Sequence, residues 1–522
     1  MRVLLLNPPH PAVASRCHEG QMPPLGLLAV GGPLIDAGHV VRLVDAELGP
    51  LSAAEIVARA NEWRPDAVLV GHSGSTSAHP VIAELARALK STLPAVAIIY
   101  GGVFPTYHAE EVLAAHPEFD VIVRGEGEAT AVALLQALAA GDSFAAVPGI
   151  AYRQRGRPRF TPPAAAVRDL DQYRVGWELI DDWDRYQYWG AGRAAVVQFS
   201  RGCPHLCSYC GQRGFWTRWR YRDPRRVAAE IGWLHRAHGV RFVDLADDNP
   251  TSSKRLWRTF LEALIAENVP VQLVGTIRAG DIVRDADILH LYKRAGFARV
   301  LMGIETLDSA TLVRIRKGTT AAIDREAIRL LREHDILSQA AYVVGFERET
   351  DADHLRGMMQ LLLYDPDQIN AMYVTPHRWT PFFRESAARR VVEPDRSKWD
   401  YRHQVLATGV PPWRVFLWVK LTEAVLQLRP RALRRVMSHR DRGIRRALRW
   451  CYGVGRRAWL FEVREFLTRR RRTAEISTLS DFWGDPQDDE EALVSVARPV
   501  QEPSGIRTGL VAGNHPNGLG IS

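Results

Sequence analysis

Three of the chain's five cysteines, Cys203, Cys207 and Cys210, fall within the stretch SRGCPHLCSYCGQRGFWTRWR, residues 200–220. Thiols clustered in this way bind metals or do redox chemistry in a reducing compartment. A structural zinc site takes four protein ligands. Cys17 and Cys451 are remote in sequence, so His205, inside the loop, is the candidate for a fourth. The alternative is an iron–sulfur cubane, in which three thiolates hold three irons and the fourth iron stays open to a small chelating ligand. The residues that follow add a second chemistry. Phe215, Trp216 and Trp219 offer flat apolar area, and Arg213, Arg218 and Arg220 alternate with them. That mixture suits a planar anionic ligand, stacked on a ring and held by its carboxylate. Single-stranded nucleic acid is the rival ligand, through stacking and phosphate contacts.

The elements around these groups can be read from hydrophobic periodicity. Between residues 1 and 150, apolar strand candidates (RVLLLN, HVVRLVDA, DAVLVGHS, VAIIYGG and DVIVRGEGE) alternate with helical segments. The alternation predicts a doubly wound, Rossmann-like α/β domain with a parallel sheet covered on both faces. Its ligand should lie beyond the carboxyl ends of the strands, which carry GHSGSTS (71–77), GGVFPTYH (101–108) and RGEGE (124–128). Residues 151–192 form a polar, aromatic, proline-containing connector with no assigned fold. From 193 to 390 the segments AAVVQF, VRFVDLAD, PVQLVGT, ARVLMGIE, LSQAAYVVGF and QINAMYV alternate with helical patterns and predict a partial (β/α)6 barrel. Chemistry on such barrels sits at the carboxyl ends of the strands, and the cysteines directly follow the first of them. Residues 391–472 read as helical, and 473–522 as a disordered tail.

Composition narrows the function classes. The 522 residues suit two to four domains. The chain opens without a signal peptide pattern and has no apolar run of spanning length, so a cytoplasmic protein is expected. Net charge is +9, and the excess is concentrated in the arginine-dense stretch 429–472. Such a stretch suits an acidic ligand, nucleic acid or peripheral contact with an anionic membrane surface, or is a solvated helical face.

The spacing Cys-x3-Cys-x2-Cys, with Tyr209 before the last cysteine, closely resembles the radical S-adenosylmethionine (SAM) superfamily. The resemblance implies a 4Fe–4S cluster on Cys203, Cys207 and Cys210. Its open iron would bind SAM, which is cleaved to methionine and a 5′-deoxyadenosyl radical. MGIE (302–305) resembles the segment whose acidic residue holds the SAM ribose, which implies that role for Glu305. YVVGFERE (342–349) resembles the segment behind the adenine, which implies Val344 and Gly345. Arg278 is a candidate partner for the SAM carboxylate, with a surface salt bridge as the alternative. Asp247, Asp248 and Asn249 either line the substrate cavity or cap the next helix.

MPPLGLLAVGGPLIDAGHVVRLVDA, GGVFPTYHAEE and DVIVRGEGE resemble the cobalamin-binding domain that precedes many such barrels. The expected cobalamin contacts are Ser73, Ser75 and Thr76, then Gly101, Gly102 and Thr106, then Gly125, Glu126 and Gly127. A dinucleotide fingerprint is absent after the first strand. So is the Asp-x-His-x-x-Gly motif that supplies a lower ligand to cobalt in some relatives. His10, His72 and His108 are the remaining candidates, and a cobalt without a protein lower ligand is expected.

Longer stretches, among them GQRGFWTRWRYRDP, ADDNPTSSK, IRAGDIVRDADILHLYKRAG, DPDQINAMYVTPHRWTPFFR and KWDYRHQVL, resemble one group in this family, the oxygen-independent magnesium-protoporphyrin IX monomethyl ester oxidative cyclases of (bacterio)chlorophyll biosynthesis. This resemblance spans about residues 1–470. It implies a tetrapyrrole substrate, a six-electron oxidation with oxygen from water, and a reducing donor such as flavodoxin or ferredoxin. Trp216 or Trp219 would stack on the macrocycle, and Arg213 or Arg220 would hold its free propionate. A cobalamin-dependent methyltransferase is the alternative enzyme. A cobalamin or iron–sulfur sensor with a nucleic-acid-binding module is the alternative of another class, and the SAM-site matches speak against it.

Overall fold

Short apolar runs become the strands of two sheets in the computed structural model, which describes residues 1–9, 20–47, 49–72, 76–212, 214–216, 218–468 and 477–484. In the first sheet β1 (Arg2–Asn7), β2 (Val40–Asp45), β3 (Ala67–His72), β4 (Ala97–Gly102) and β5 (Val121–Val123) are parallel, in the order β2-β1-β3-β4-β5. The order reverses between β1 and β3, the point at which doubly wound sheets open a ligand crevice. β1 shows why the run VLLL is continuous. Val3 and Leu5 pack on one side with Leu27, Leu28 and Leu34. Leu4 and Leu6 pack on the other with Ile56, Ala60 and Ile82. Both faces are covered, as a parallel sheet requires.

The connector differs from expectation. β6 (Ile150–Gln154) and β7 (Arg157–Phe160) extend the first sheet as an antiparallel edge. β7 is RPRF and mostly exposed, so it has no apolar pattern to reveal it. β8 (Gln187–Tyr188) already belongs to the second sheet, pairing antiparallel with β9 (Gly192–Val197).

After β9 the chain forms a two-stranded ribbon, β10 (Ser200–Arg201) with β11 (Arg220–Tyr221). The second sheet then continues with β12 (Phe242–Leu245), β13 (Gln272–Thr276), β14 (Phe297–Glu305), β15 (Leu337–Val344) and β16 (Gln368–Tyr373). With β9 these are six parallel strands in chain order, an open barrel with β8 on its outer edge. The six expected strands are these six. Several of the intervening helices start on side-chain caps. Asp223 accepts from the backbone N–H of Arg225, Thr320 from Ile323 and Thr350 from Asp353.

Helices Pro412–Leu428, Pro430–Ser438 and Arg442–Thr468 follow the barrel. The stretch expected as a tail contains a packed element. Thr478 bridges Arg390, and helix Leu479–Trp483 buries Leu479 and Trp483 against the first domain and barrel. Its remaining positions, 473–476 and 485–522, fall outside the described residues. Among the described residues no helix is long and apolar enough to cross a membrane.

Candidate active site

The β10–β11 ribbon closes the base of the cysteine loop, pairing Ser200 with Tyr221 and Arg201 with Arg220. Gly202 opens the loop at φ +85°, and a Cβ there would lie 2.6 Å from the Arg218 carbonyl, so only glycine fits. Asp247 and Asp248, at the end of β12, fix this start. Asp247 accepts from Phe199 N at 3.1 Å, from Ser200 N and from Ser200 Oγ at 2.6 Å. Asp248 accepts from the Gly202 backbone. Burial pushes Asp247 up to about 7 and Asp248 up to about 6. These carboxylates therefore anchor the loop rather than cap the next helix, a role taken by Ser253. The Asn249 carbonyl accepts from Trp219 Nε1 at 2.9 Å.

Cys203, Cys207 and Cys210 are half-buried free thiols. The loop is pinned between barrel elements: Ser208 N donates to Ile315 O, and Phe382 N donates to Ser208 O, both at 3.0 Å. Burial raises Cys203, against the pull of Arg278. Lys317 and Tyr209 lie near Cys207, and Tyr401 lies near Cys210. Burial, then Arg278 and Lys317, hold the His205 ring below its ordinary pKa. Cys451 is engaged elsewhere, its sulfur accepting a hydrogen bond from Trp189 Nε1 at 2.6 Å. Among the described residues no three His, Cys, Asp or Glu side chains form a single-ion site. Three free thiols, with Arg278 beside Cys203 and Lys317 beside Cys207, fit the donor set of a cubane, which spreads its thiolates over separate irons.

The expected SAM residues gather at the neighbouring strand ends. Glu305 ends β14 at φ +63°, where the register with β15 slips after Gly303. A non-glycine residue in this region stores strain that the surroundings must impose. Those surroundings are Lys317, whose Nζ is 2.5 Å from Glu305 Oε1, and the Tyr209 hydroxyl. A Cβ on Gly303 would collide with both members of the Glu305–Lys317 pair. Burial disfavours the Lys317 charge, but Glu305 holds its pKa above the ordinary value. Arg278 donates from Nη2 to Lys317 O at 2.6 Å and to Gly318 O at 3.3 Å, beside Cys203, so it is not an ordinary surface salt bridge. Val344 is buried, and Gly345, at φ +96°, donates its N–H to Glu349 Oε2 at 2.7 Å. Its carbonyl accepts from Arg389 Nη2 at 2.9 Å. Sequence reasoning missed Lys317. It lies in RIRKGTT, which has no periodic signal, twelve positions after its partner.

On the first sheet, the ends of β3 and β4 pack backbone to backbone. A Cβ on Gly71 would lie 3.2 Å from Gly101 O, and one on Gly102, at φ +109°, 2.9 Å from His72 O. Gly125 is at φ +79° with open space where a Cβ would be, and a Cβ on Gly127 would touch Val30 at 3.3 Å. Three of the expected side chains have partners inside the protein. Thr106 Oγ1 is spent inside the protein, donating to Gly102 O at 2.7 Å and accepting from Gly125 N at 3.0 Å. Glu126 and Arg220, expected on corrinoid and substrate respectively, are paired with each other at 2.8 Å. Glu126 also pairs with Arg201 at 2.9 Å, and Glu128 pairs with Arg201 at 2.5 Å. The Arg201 guanidinium covers the Trp216 ring at 4.9 Å. Trp216 and Arg220 thus belong to a buried clamp between the two sheets' domains. Trp219 and Arg220 also line a cleft of about 670 Å³ with Arg168, Tyr221, Arg225 and Arg255, which includes none of the cysteines. Ser73, Ser75, His10 and Arg213 lie outside the described residues.

Burial lowers His72, at the end of β3, to about 4 and so keeps it neutral. His108 is walled in by Phe104 at 4.4 Å, Trp483 at 5.2 Å and Trp379 at 5.7 Å. A histidine that sequence reasoning passed over, His377, joins the two halves. Its Nε2 is 2.6 Å from the Tyr401 hydroxyl, and its Nδ1 is 3.5 Å from the Oγ1 of the buried Thr76. Tyr107 stacks on Trp379 at 4.8 Å, and Trp379 Nε1 donates to Gly211 O at 2.8 Å, next to Cys210. The glycine-rich strand ends and the cysteine loop therefore share a wall. Small residues at the carboxyl ends of β3, β4 and β5 fit a large flat cofactor such as a corrinoid.

The B12 binding domain family matches residues 11–135, and the Radical SAM superfamily matches residues 197–362. The chain is 54% identical to the anaerobic magnesium-protoporphyrin IX monomethyl ester cyclase of Synechocystis sp., over 95% of this chain and all of that one. The enzyme of the same name from Cereibacter sphaeroides is 33% identical, over 74% of this chain and 63% of that one. Among solved structures, the radical SAM methyltransferase TsrM from Kitasatospora setae, with cobalamin and a 4Fe–4S cluster bound, superposes with a TM-score of 0.65. It covers 90% of this chain and all of that one at 16% identity, a likeness of fold.

Proposed function

This chain belongs to the family of anaerobic magnesium-protoporphyrin IX monomethyl ester cyclases, cobalamin-binding radical SAM enzymes, and from that premise we propose the following reading of its site. The protein is a radical SAM oxidoreductase that forms the isocyclic ring of a protochlorophyllide in (bacterio)chlorophyll biosynthesis. The reaction removes six electrons from the methyl-propionate side chain, adds oxygen from water and closes the chain onto the macrocycle. The observation that carries the reading is the identity over the whole length of the Synechocystis relative, joined to the three-thiol loop beside the Glu305–Lys317 pair.

Cys203, Cys207 and Cys210 would hold the cluster. Arg278, Glu305, Val344 and Gly345 would hold SAM. The glycine ends of β3, β4 and β5, with Ser73, Ser75 and Thr76, would hold the corrinoid. When bound, the cluster would supply the electron that cleaves SAM to the radical which starts the oxidation. The residues of the chain do the positioning. Lys317 orients the Glu305 carboxylate, the natural acceptor for ribose hydroxyls. Arg278, fixed by two carbonyls, keeps a positive fork beside Cys203 for a carboxylate. Tyr107, Trp379 and His377 close the wall between the domains and would shield the radical from bulk solvent. Trp219, hydrogen-bonded to the Asn249 carbonyl beside the cysteine loop, would offer a flat macrocycle its surface, and Arg220 is paired with Glu126. No histidine is assigned as a lower ligand to cobalt. A small reducing protein as electron donor belongs to the same proposal.

The test is anaerobic turnover of the reconstituted enzyme with magnesium-protoporphyrin IX monomethyl ester, SAM, cobalamin and reductant. Ring closure without methyl gain supports the cyclase. Added methyl units with S-adenosylhomocysteine as co-product would assign the chain to the methyltransferase reading instead.

A further inference from the structure

The C-terminal helices carry a surface that the cofactor site does not use. Residues 429–468 contain twelve arginines and three acidic residues. On helix Arg442–Thr468 the exposed residues Arg442, Arg446, Arg449, Arg456 and Arg464 recur at spacings that place them on one face, with Leu460 and Leu467 between them. The acids of this helix point the other way. Glu462 pairs with Lys420, and Glu465 with Lys398 and His403. The adjacent helix Pro412–Leu428 is joined to it by the Phe416–Phe466 stack at 4.1 Å and by Tyr452 donating to Gln427 O at 3.0 Å. Its outer face exposes Trp413, Leu417, Leu421 and Leu428 at helical spacing, Leu428 by 67%. Helix Asp351–Tyr364 flanks it on the other side, tied by Trp418 Nε1 to Asp351 at 2.7 Å, and exposes Leu355, Met359 and Leu363.

We propose that this outer layer docks on the surface of an anionic lipid bilayer. Two features select that occupant. The arginine face has no acidic residue in it, so it complements a negatively charged surface. Nucleic acid would satisfy the arginines but leave the ridges of Leu, Met and Trp in water, whereas a lipid headgroup layer takes up both. The protein would lie on the membrane, since no helix among those described spans it. The inference is independent of which substrate the site takes.

The test is co-sedimentation of the full-length, cluster-loaded protein with vesicles of phosphatidylcholine alone, or with roughly a third phosphatidylglycerol, and competition by a single-stranded oligonucleotide. Binding about tenfold or more tighter to the anionic vesicles, falling with salt, is expected. A variant combining Arg449→Glu, Arg456→Glu and Arg464→Glu should lose that preference. A second, Leu417→Ser with Leu421→Ser, should lose the part of the binding that survives salt. Both should keep the wild-type cluster absorbance and far-ultraviolet circular dichroism. Equal binding to neutral vesicles, or an oligonucleotide that binds tighter than the anionic vesicles, would overturn the proposal. So would variants that fold and bind like wild type.

Discussion

Glu126→Gln tests the clamp between the cobalamin-binding domain and the barrel. The Glu126 side chain is 6% exposed and pairs with Arg201 at 2.9 Å and Arg220 at 2.8 Å. It also accepts from Val167 N at 2.6 Å. The amide keeps the size and one acceptor oxygen but removes the charge. The two guanidiniums then keep Glu128 as their carboxylate partner, which reaches Arg201 alone, while Arg220 retains the Val167 carbonyl. Removing one partner of a buried pair costs about 3–5 kcal/mol, and the retained acceptor places the expected loss near ~3 kcal/mol. Urea unfolding should show this loss in the midpoint at unchanged slope. Arg220→Met should cost less when Glu126 is already replaced, a coupling of about 1–3 kcal/mol in a double-mutant cycle. A Glu126→Gln protein with wild-type stability and lowered corrinoid affinity would refute the clamp and restore Glu126 to the cofactor. Unchanged stability with weaker tetrapyrrole binding in Arg220→Met would restore Arg220 to the substrate.

Three further outcomes follow from the geometry. Replacing Cys203, Cys207 or Cys210 by Ala should remove most iron after anaerobic reconstitution and abolish deoxyadenosine formation, checked by iron assay and chromatography. Lys317→Met should leave iron content intact but weaken SAM binding about tenfold or more, because an unpaired Glu305 no longer holds its place, with Lys317→Arg recovering part of the affinity in a direct binding assay. His403 is the pH-dependent tie of helix Arg442–Thr468. Burial opposes its charge, but Asp400 at 2.9 Å and Glu465 at 3.5 Å raise its pKa to about 9. A raised folded pKa means that its contribution is complete below about pH 6.5 and is lost as pH rises through 9. The ceiling on that loss is about 3 kcal/mol, read as a falling urea midpoint that His403→Gln should not show.

Both sheets were legible because their strands are buried apolar runs, such as VLLL in β1 and the six segments of the barrel. The cysteine loop was legible because metal chemistry fixes spacing within a few residues. What stayed hidden was set by distance in sequence. Lys317 meets Glu305 only because the chain returns to the end of β14, and His377 meets Thr76 from 301 positions away. Glu126 and Arg220 have residue types that fit a ligand, and nothing local in RGEGE or RWRYR shows that they answer each other. The edge strand β7 and helix Leu479–Trp483 were missed because polar edges and five-residue helices carry no periodicity. In each case a side chain's type was readable, while its partner was decided by tertiary packing.

The central claim, that this site oxidises and closes a tetrapyrrole side chain without molecular oxygen, is tested most directly by turnover under anaerobic conditions in water enriched in heavy oxygen. The account predicts a protochlorophyllide whose new ring ketone carries the heavy isotope, formed only with SAM and cobalamin present. A methylated macrocycle, or a ketone with light oxygen in fully exchanged water, would contradict it.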